Sequence, residues 1–135
     1  MNNLIFLSLF YILSIISTLG YGLLFKSFFI KNKIEIDYGL CGLIGIFILT
    51  LYSYLSHFFI AHGLIHNSIL IIIGLIIFIL FFKSNYEKVN FKILFLIFFL
   101  LLISLFCFKT HDDFPYYHFP YTNYLTKTDL IVGIG

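Results

Sequence analysis

Two adjacent carboxylates, Asp112 and Asp113, head the stretch Lys109-Thr110-His111-Asp112-Asp113-Phe114-Pro115-Tyr116-Tyr117-His118-Phe119-Pro120-Tyr121. A carboxylate at a membrane surface can serve as general base for a sugar hydroxyl, and with histidine it can hold a divalent cation. Asp112 and Asp113 are therefore the candidate catalytic residues. His111, Tyr116, Tyr117, His118 and Tyr121 are the candidate substrate-binding residues, because aromatic rings beside carboxylates suit sugars and polyprenyl-linked molecules. No residue is assigned as a metal ligand, and the cofactor is unknown beyond the divalent cation such acids would accept. The two prolines fix the backbone locally and predict that no helix runs through the motif. A plainer reading makes the segment an interfacial belt of tyrosines with two solvated acids.

A second cluster, His57, His62 and His66, offers metal-like spacing. His62 and His66 are four apart and share a helix face if helical, the spacing of two zinc ligands. The glutamate of a His-Glu-x-x-His motif is missing and no third ligand is near in sequence. The three histidines read as structural or interfacial residues. Cys41 and Cys107 form neither a metal motif nor a disulfide framework.

What positions these groups is a set of apolar blocks. Of the 135 residues, 61% are hydrophobic and 10% charged, whereas a soluble domain has roughly 25% charged residues. A soluble fold of this size cannot bury so much Phe, Ile and Leu. Four blocks stand out, at 4–25, 38–59, 64–82 and 91–108, each close to the ~20 residues that cross ~30 Å of hydrocarbon. Their lack of alternation excludes a β-barrel, and unhydrated backbone requires helix. The predicted fold class is all-α, a polytopic transmembrane helical protein of about four spans followed by an aromatic-rich outer loop. The third block is the weakest, since its firm apolar run covers only Ile69–Phe82 and needs His62–Ser68 to extend it. A signal peptide is the rival reading of the first block, but Met1-Asn2-Asn3 supplies no charged n-region.

Lysine placement sets the orientation. Lys26, Lys31 and Lys33 fall in the first connection, none in the second, and Lys83, Lys88 and Lys92 in the third. By the positive-inside rule, 26–37 and 83–92 are cytoplasmic, while the N-terminus, the histidine-bearing connection and 109–135 are outside. The two cysteines then lie roughly 25 Å apart along the helices, too far for a disulfide. Gly39, Gly42 and Gly45, with Gly20 and Gly22, allow close helix approach, and Gly42→Leu is expected to disturb a helix contact. The partner environment is the lipid bilayer. Eight lysines without arginine make no nucleic-acid footprint, so no nucleic acid is expected.

The Asp112-Asp113 pair, at the start of an outer loop directly after a span, resembles the acidic motif of GT-C-type membrane glycosyltransferases. The segment His-Asp-Asp-Phe-x-Tyr-Tyr-His-x-Pro also looks like a loop of large multi-spanning bacterial envelope proteins of uncertain function. The match covers about ten residues and the hydrophobic layout. In GT-C enzymes the acidic loop usually follows the first span, whereas here it follows the fourth. The resemblance implies a bacterial inner-membrane protein, a glycosyltransferase or glycan polymerase acting on lipid-linked (polyprenyl-linked) sugars at the outer face. It also implies more spans, so that the chain reads as the N-terminal part of a larger protein. A transporter or flippase component is the alternative and calls for ionisable residues in mid-span, which the spans lack apart from the boundary residue His57. A non-catalytic membrane scaffold is the third reading.

Overall fold

The computed structural model describes residues 2–29, 37–84, 90–104 and 112–130. Among them five α-helices follow one another: α1 (Asn2–Phe29), α2 (Tyr38–His57), α3 (Leu64–Ser84), α4 (Phe91–Ser104) and α5 (Phe119–Lys127), with a π-helical turn at Phe114–His118 before α5. No strand occurs among the described residues, and the chain is all-α.

Three helices, Ile5–Phe29, Tyr38–His57 and Leu64–Lys83, are long and apolar enough to cross a membrane. Far from being the weakest, α3 is the most apolar of the three. The chain enters it at Leu64, so the polar turn His66-Asn67-Ser68 becomes its first turn and supplies the missing length. The fourth predicted span is represented by the 14 residues of α4, and 105–108 lie outside the described residues.

Local signals explain where the helices start. The Asp37 carboxylate accepts from the Leu40 N–H at 3.1 Å and caps α2, satisfying a donor that the first turn leaves orphaned. Asn90 does the same for α4, its side-chain oxygen accepting from Ile93 N at 3.3 Å. The Asn90 N–H in turn donates to the Tyr38 hydroxyl at 3.0 Å, tying the starts of α2 and α4 together. Lys26 and Lys83 stand in the last turns of α1 and α3 at this same end.

The bundle is organised around α1, which packs against both α2 and α3. In the apolar windows of these helices 28% of residues are buried in α1, against 11% in α2 and 6% in α3, which makes α1 the central helix. Close approach needs missing side chains. A Cβ at Gly22 would fall on the Cys41 carbonyl, one at Gly45 on the Thr18 carbonyl, and one at Gly20 on the Gly74 carbonyl. Gly42 is different: a Cβ there would meet only Leu19 Cδ2 at an ordinary 3.8 Å. The tight α1–α2 seam therefore runs through Gly22 and Gly45, and Gly42 is not the critical position. Leu19, Leu23, Tyr38 and Cys41 form the buried core, with Phe78, Phe81, Leu94 and Ile97 packed against it. Cys41 is free and buried; Cys107 lies outside the described residues.

The outward faces carry exposed side chains such as Phe6 (70%), Leu43 (68%) and Phe95 (73%). Exposed apolar area on this scale is costly in water, at ~25 cal/mol per Å², and lipid tails remove that cost. The environment these helices suit is a bilayer.

Candidate ligand-binding site

At the end of the bundle opposite Lys26 and Lys83, α2 stops after His57 and the chain turns. Phe59 N and Ile60 N both donate to Ser56 O, at 3.0 and 2.9 Å. The turn places His57, His62 and His66 in a column. His57 meets His62 edge to face with ring centroids 4.9 Å apart, and His62 stacks on His66 at 4.4 Å and 3°. Parallel stacked rings cannot aim their nitrogens at one ion. Among the described residues no three His, Cys, Asp or Glu side chains could hold a metal.

Two of the three histidines are satisfied. His62 Nε2 lies 2.9 Å from Ser56 Oγ. His66 Nε2 lies 3.4 Å from the Tyr52 hydroxyl, and its Nδ1 is 3.2 Å from Asn67 Oδ1. Asn67 also donates to the His62 carbonyl at 2.9 Å. Burial, and then the neighbouring His66 and His57, hold His62 below the usual imidazole pKa. His57 differs from both: it is 5% exposed, and neither of its ring nitrogens has a hydrogen-bond partner among the described residues. A buried polar group left unmet costs ~1–3 kcal/mol.

The C-terminal segment closes over this column. His62 N donates to Leu125 O at 2.9 Å and Leu130 N donates to His57 O at 2.9 Å. Gly63 sits under the segment, where a Cβ would touch the Thr126 carbonyl at 3.4 Å. Between α2 and this cover lies a cavity of about 450 Å³, within the ~300–1,000 Å³ range of small-molecule sites. Ile46, Leu49, Leu125 and Leu130 give it apolar walls, and Thr50, Ser53, Tyr54, Tyr121, His57 and His62 supply its polar groups. No lysine or carboxylate lines it among the described residues. A second cavity of about 320 Å³ shares Leu49 and Ser53 and reaches Ser14 and Thr18 of α1. The hydroxyls of Ser14 and Thr18 already donate to the carbonyls of Phe10 and Ser14, both at 2.8 Å.

The motif that looked chemical in sequence is only partly joined to this site. Tyr121 lines the cavity. Asp112, Asp113, Tyr116, Tyr117 and His118 are exposed on the turn and π-helical segment that precede α5; His111 lies outside the described residues. The prolines do not exclude helix here, which corrects the expectation from sequence. Pro115 falls in the first turn of the π-helical segment and Pro120 in the first turn of α5, where no intrahelical N–H is needed. The Phe119 N–H reaches back to Phe114 O, five residues earlier, and this widened turn relieves the clash Pro120 would make with the carbonyl four residues before it. Asp113 O accepts from both Tyr116 N and Tyr117 N, at 3.1 and 3.0 Å. His57 is the residue that sequence reading undervalued. Its place at the end of an apolar block gave a signal, but its enclosure depends on residues near 125–130.

No family model, curated protein or solved structure matches the chain. Fold and site together define a class: an all-α protein with three helices suited to spanning a bilayer and a small-molecule-sized cavity at one end of the bundle.

Proposed function

We propose that this is an integral membrane protein that binds a lipid-linked sugar at the outer face and takes part in glycan transfer or polymerisation. The cavity beside α2 carries this reading. It combines apolar walls with hydroxyl and imidazole groups at the end of the apolar helices, the chemistry expected of a site for an amphipathic molecule at a bilayer surface. In the proposed arrangement Asp112 or Asp113 acts as general base, Tyr116, Tyr117 and Tyr121 form a platform for sugar rings, and His111 and His118 support the acids. Asp113 lies eight residues before Tyr121, about 12 Å at the helical rise, so an extended head group can reach from one to the other. The end bearing Lys26, Lys83 and Lys92 faces the cytoplasm in this reading, and the histidine column faces outward.

Asp113→Asn in the intact protein is expected to abolish glycan transfer while leaving membrane insertion unchanged, with Lys127→Gln as the near-neutral control. Full activity in the Asp112→Asn/Asp113→Asn double variant would reduce the segment to an interfacial anchor. Orientation is checked separately with a membrane-impermeant thiol reagent in a Cys41→Ser/Cys107→Ser background. Ser68→Cys and Thr122→Cys should be labelled in intact cells, and Ser84→Cys should be spared.

A further inference from the structure

We infer that His57 is the recognition residue of the cavity, and that the group it takes is the neutral, hydroxyl-bearing head of a lipid-linked molecule. The inference rests on reading the cavity as a lipid-linked sugar site and names the part of the ligand that the protein holds. His57 is 5% exposed, it lines the cavity, and both its ring nitrogens lack a partner among the described residues. Buried polar side chains are almost always hydrogen-bonded, so such an exception calls for an explanation. A neutral imidazole presents one donor and one acceptor, and a sugar hydroxyl matches both because it can accept and donate.

The rest of the lining fixes the charge of the occupant. Ser53 and Thr50 add hydroxyls and no lysine lines the cavity among the described residues, so a phosphate would meet no fixed counter-charge from them and would lose its hydration. Tyr54 and Tyr121 offer exposed rings on which a pyranose can lie. Leu49 and Leu125 continue as an apolar wall for the first carbons of the chain attached to it. The cover formed by residues 125–130 is bonded to the backbone of His57 and His62 and not to their rings. The imidazole of His57 therefore meets no competing partner on the cover, and because both its nitrogens are buried a ligand bonds them only as the neighbouring side chains give way.

The test uses the intact chain in micelles of a sugar-free zwitterionic detergent, with 13C-labelled histidine observed by NMR. Octyl β-D-glucoside, titrated below its own micelle concentration, should shift the His57 ring signal saturably. Octyl phosphate, with the same tail and an anionic head, should bind at least several-fold more weakly. His57→Phe should weaken glucoside binding roughly tenfold, the size of one or two lost hydrogen bonds, with the titration followed on the His62 ring. His57→Gln keeps a donor and an acceptor and should recover most of it. Ile46→Trp, on the exposed face of α2, should plug the cavity and block binding without touching the glycine seam.

Wild-type affinity in His57→Phe, tighter binding of octyl phosphate, or a glucoside titration that never saturates would each overturn the inference. The two readings fail separately. Loss of glycan transfer in Asp113→Asn with glucoside binding indifferent to His57 would sink the His57 role alone. Glucoside binding through His57 with full transfer in the aspartate double variant would sink the catalytic reading alone.

Discussion

The glycine seam and the histidine cap are built by different means. Along α1, α2 and α3, contact comes largely from what is missing: Gly20, Gly22 and Gly45 let backbone meet backbone and Gly74 makes room for Ser17, while the Tyr21 hydroxyl donates to the Leu70 carbonyl at 2.9 Å. At the histidine-bearing end, contact comes from polar groups, with Ser56, Tyr52 and Asn67 bonded to histidines and two backbone bonds holding the 125–130 segment across them. The seam is close-packed at its glycines, and the 320 Å³ cavity opens beside it at Ser17 and Thr18. The cap tolerates a 450 Å³ cavity and an unmet imidazole. Stability is concentrated in the first region and chemical opportunity in the second, and substitutions in the two should behave differently.

The largest effect is expected in the seam. Gly22→Leu places a branched side chain on the Cys41 backbone, and neither helix can yield without separating. The expected loss exceeds the ~1–3 kcal/mol typical of overpacking, read as a lowered unfolding midpoint in detergent. Gly42→Leu, three residues from the seam position Gly45, should cost far less. Equal losses for the two would mean that the seam does not run where the glycines place it.

An intermediate effect separates the regions by pH. The folded chain disfavours charged His62, whose pKa lies below the ordinary 6.5. Its contribution to stability is full above pH 6.5 and is lost as pH falls through the lower folded value, because the unfolded chain then binds more protons. Amide exchange at His62 and Leu130, corrected for intrinsic rates, should therefore quicken relative to the seam between pH 7.5 and 5.5. Parallel behaviour of cap and seam would remove the distinction. The smallest effect belongs to Tyr52→Phe, which deletes only the long 3.4 Å contact to His66. A change of about 0.5 kcal/mol or less is expected in thermal unfolding.

Much of the fold could be read from composition and block length. The limits of α2, Tyr38 and His57, fall within two residues of the apolar block 38–59. The glycines announced close packing, although which of them carry it did not show. The candidate site was less legible. The acidic motif drew attention because its residue types are chemical, whereas His57 looked like one more interfacial histidine.

By itself, the sequence determined that this chain is all-α and suited to lipid, because long unbroken apolar blocks leave the backbone no other way to satisfy its hydrogen bonds in hydrocarbon. It also determined where those helices begin, through local caps such as Asp37 and Asn90. Only the tertiary structure decided that Gly74 faces Ser17 and Gly20, that the Pro115 and Pro120 segment winds through a π turn, and that His57 is enclosed. The reason is range. Helix formation and capping involve residues within about one turn, whereas the enclosure of His57 requires Leu130 to donate to its carbonyl across 73 positions of sequence, a pairing that no local pattern encodes.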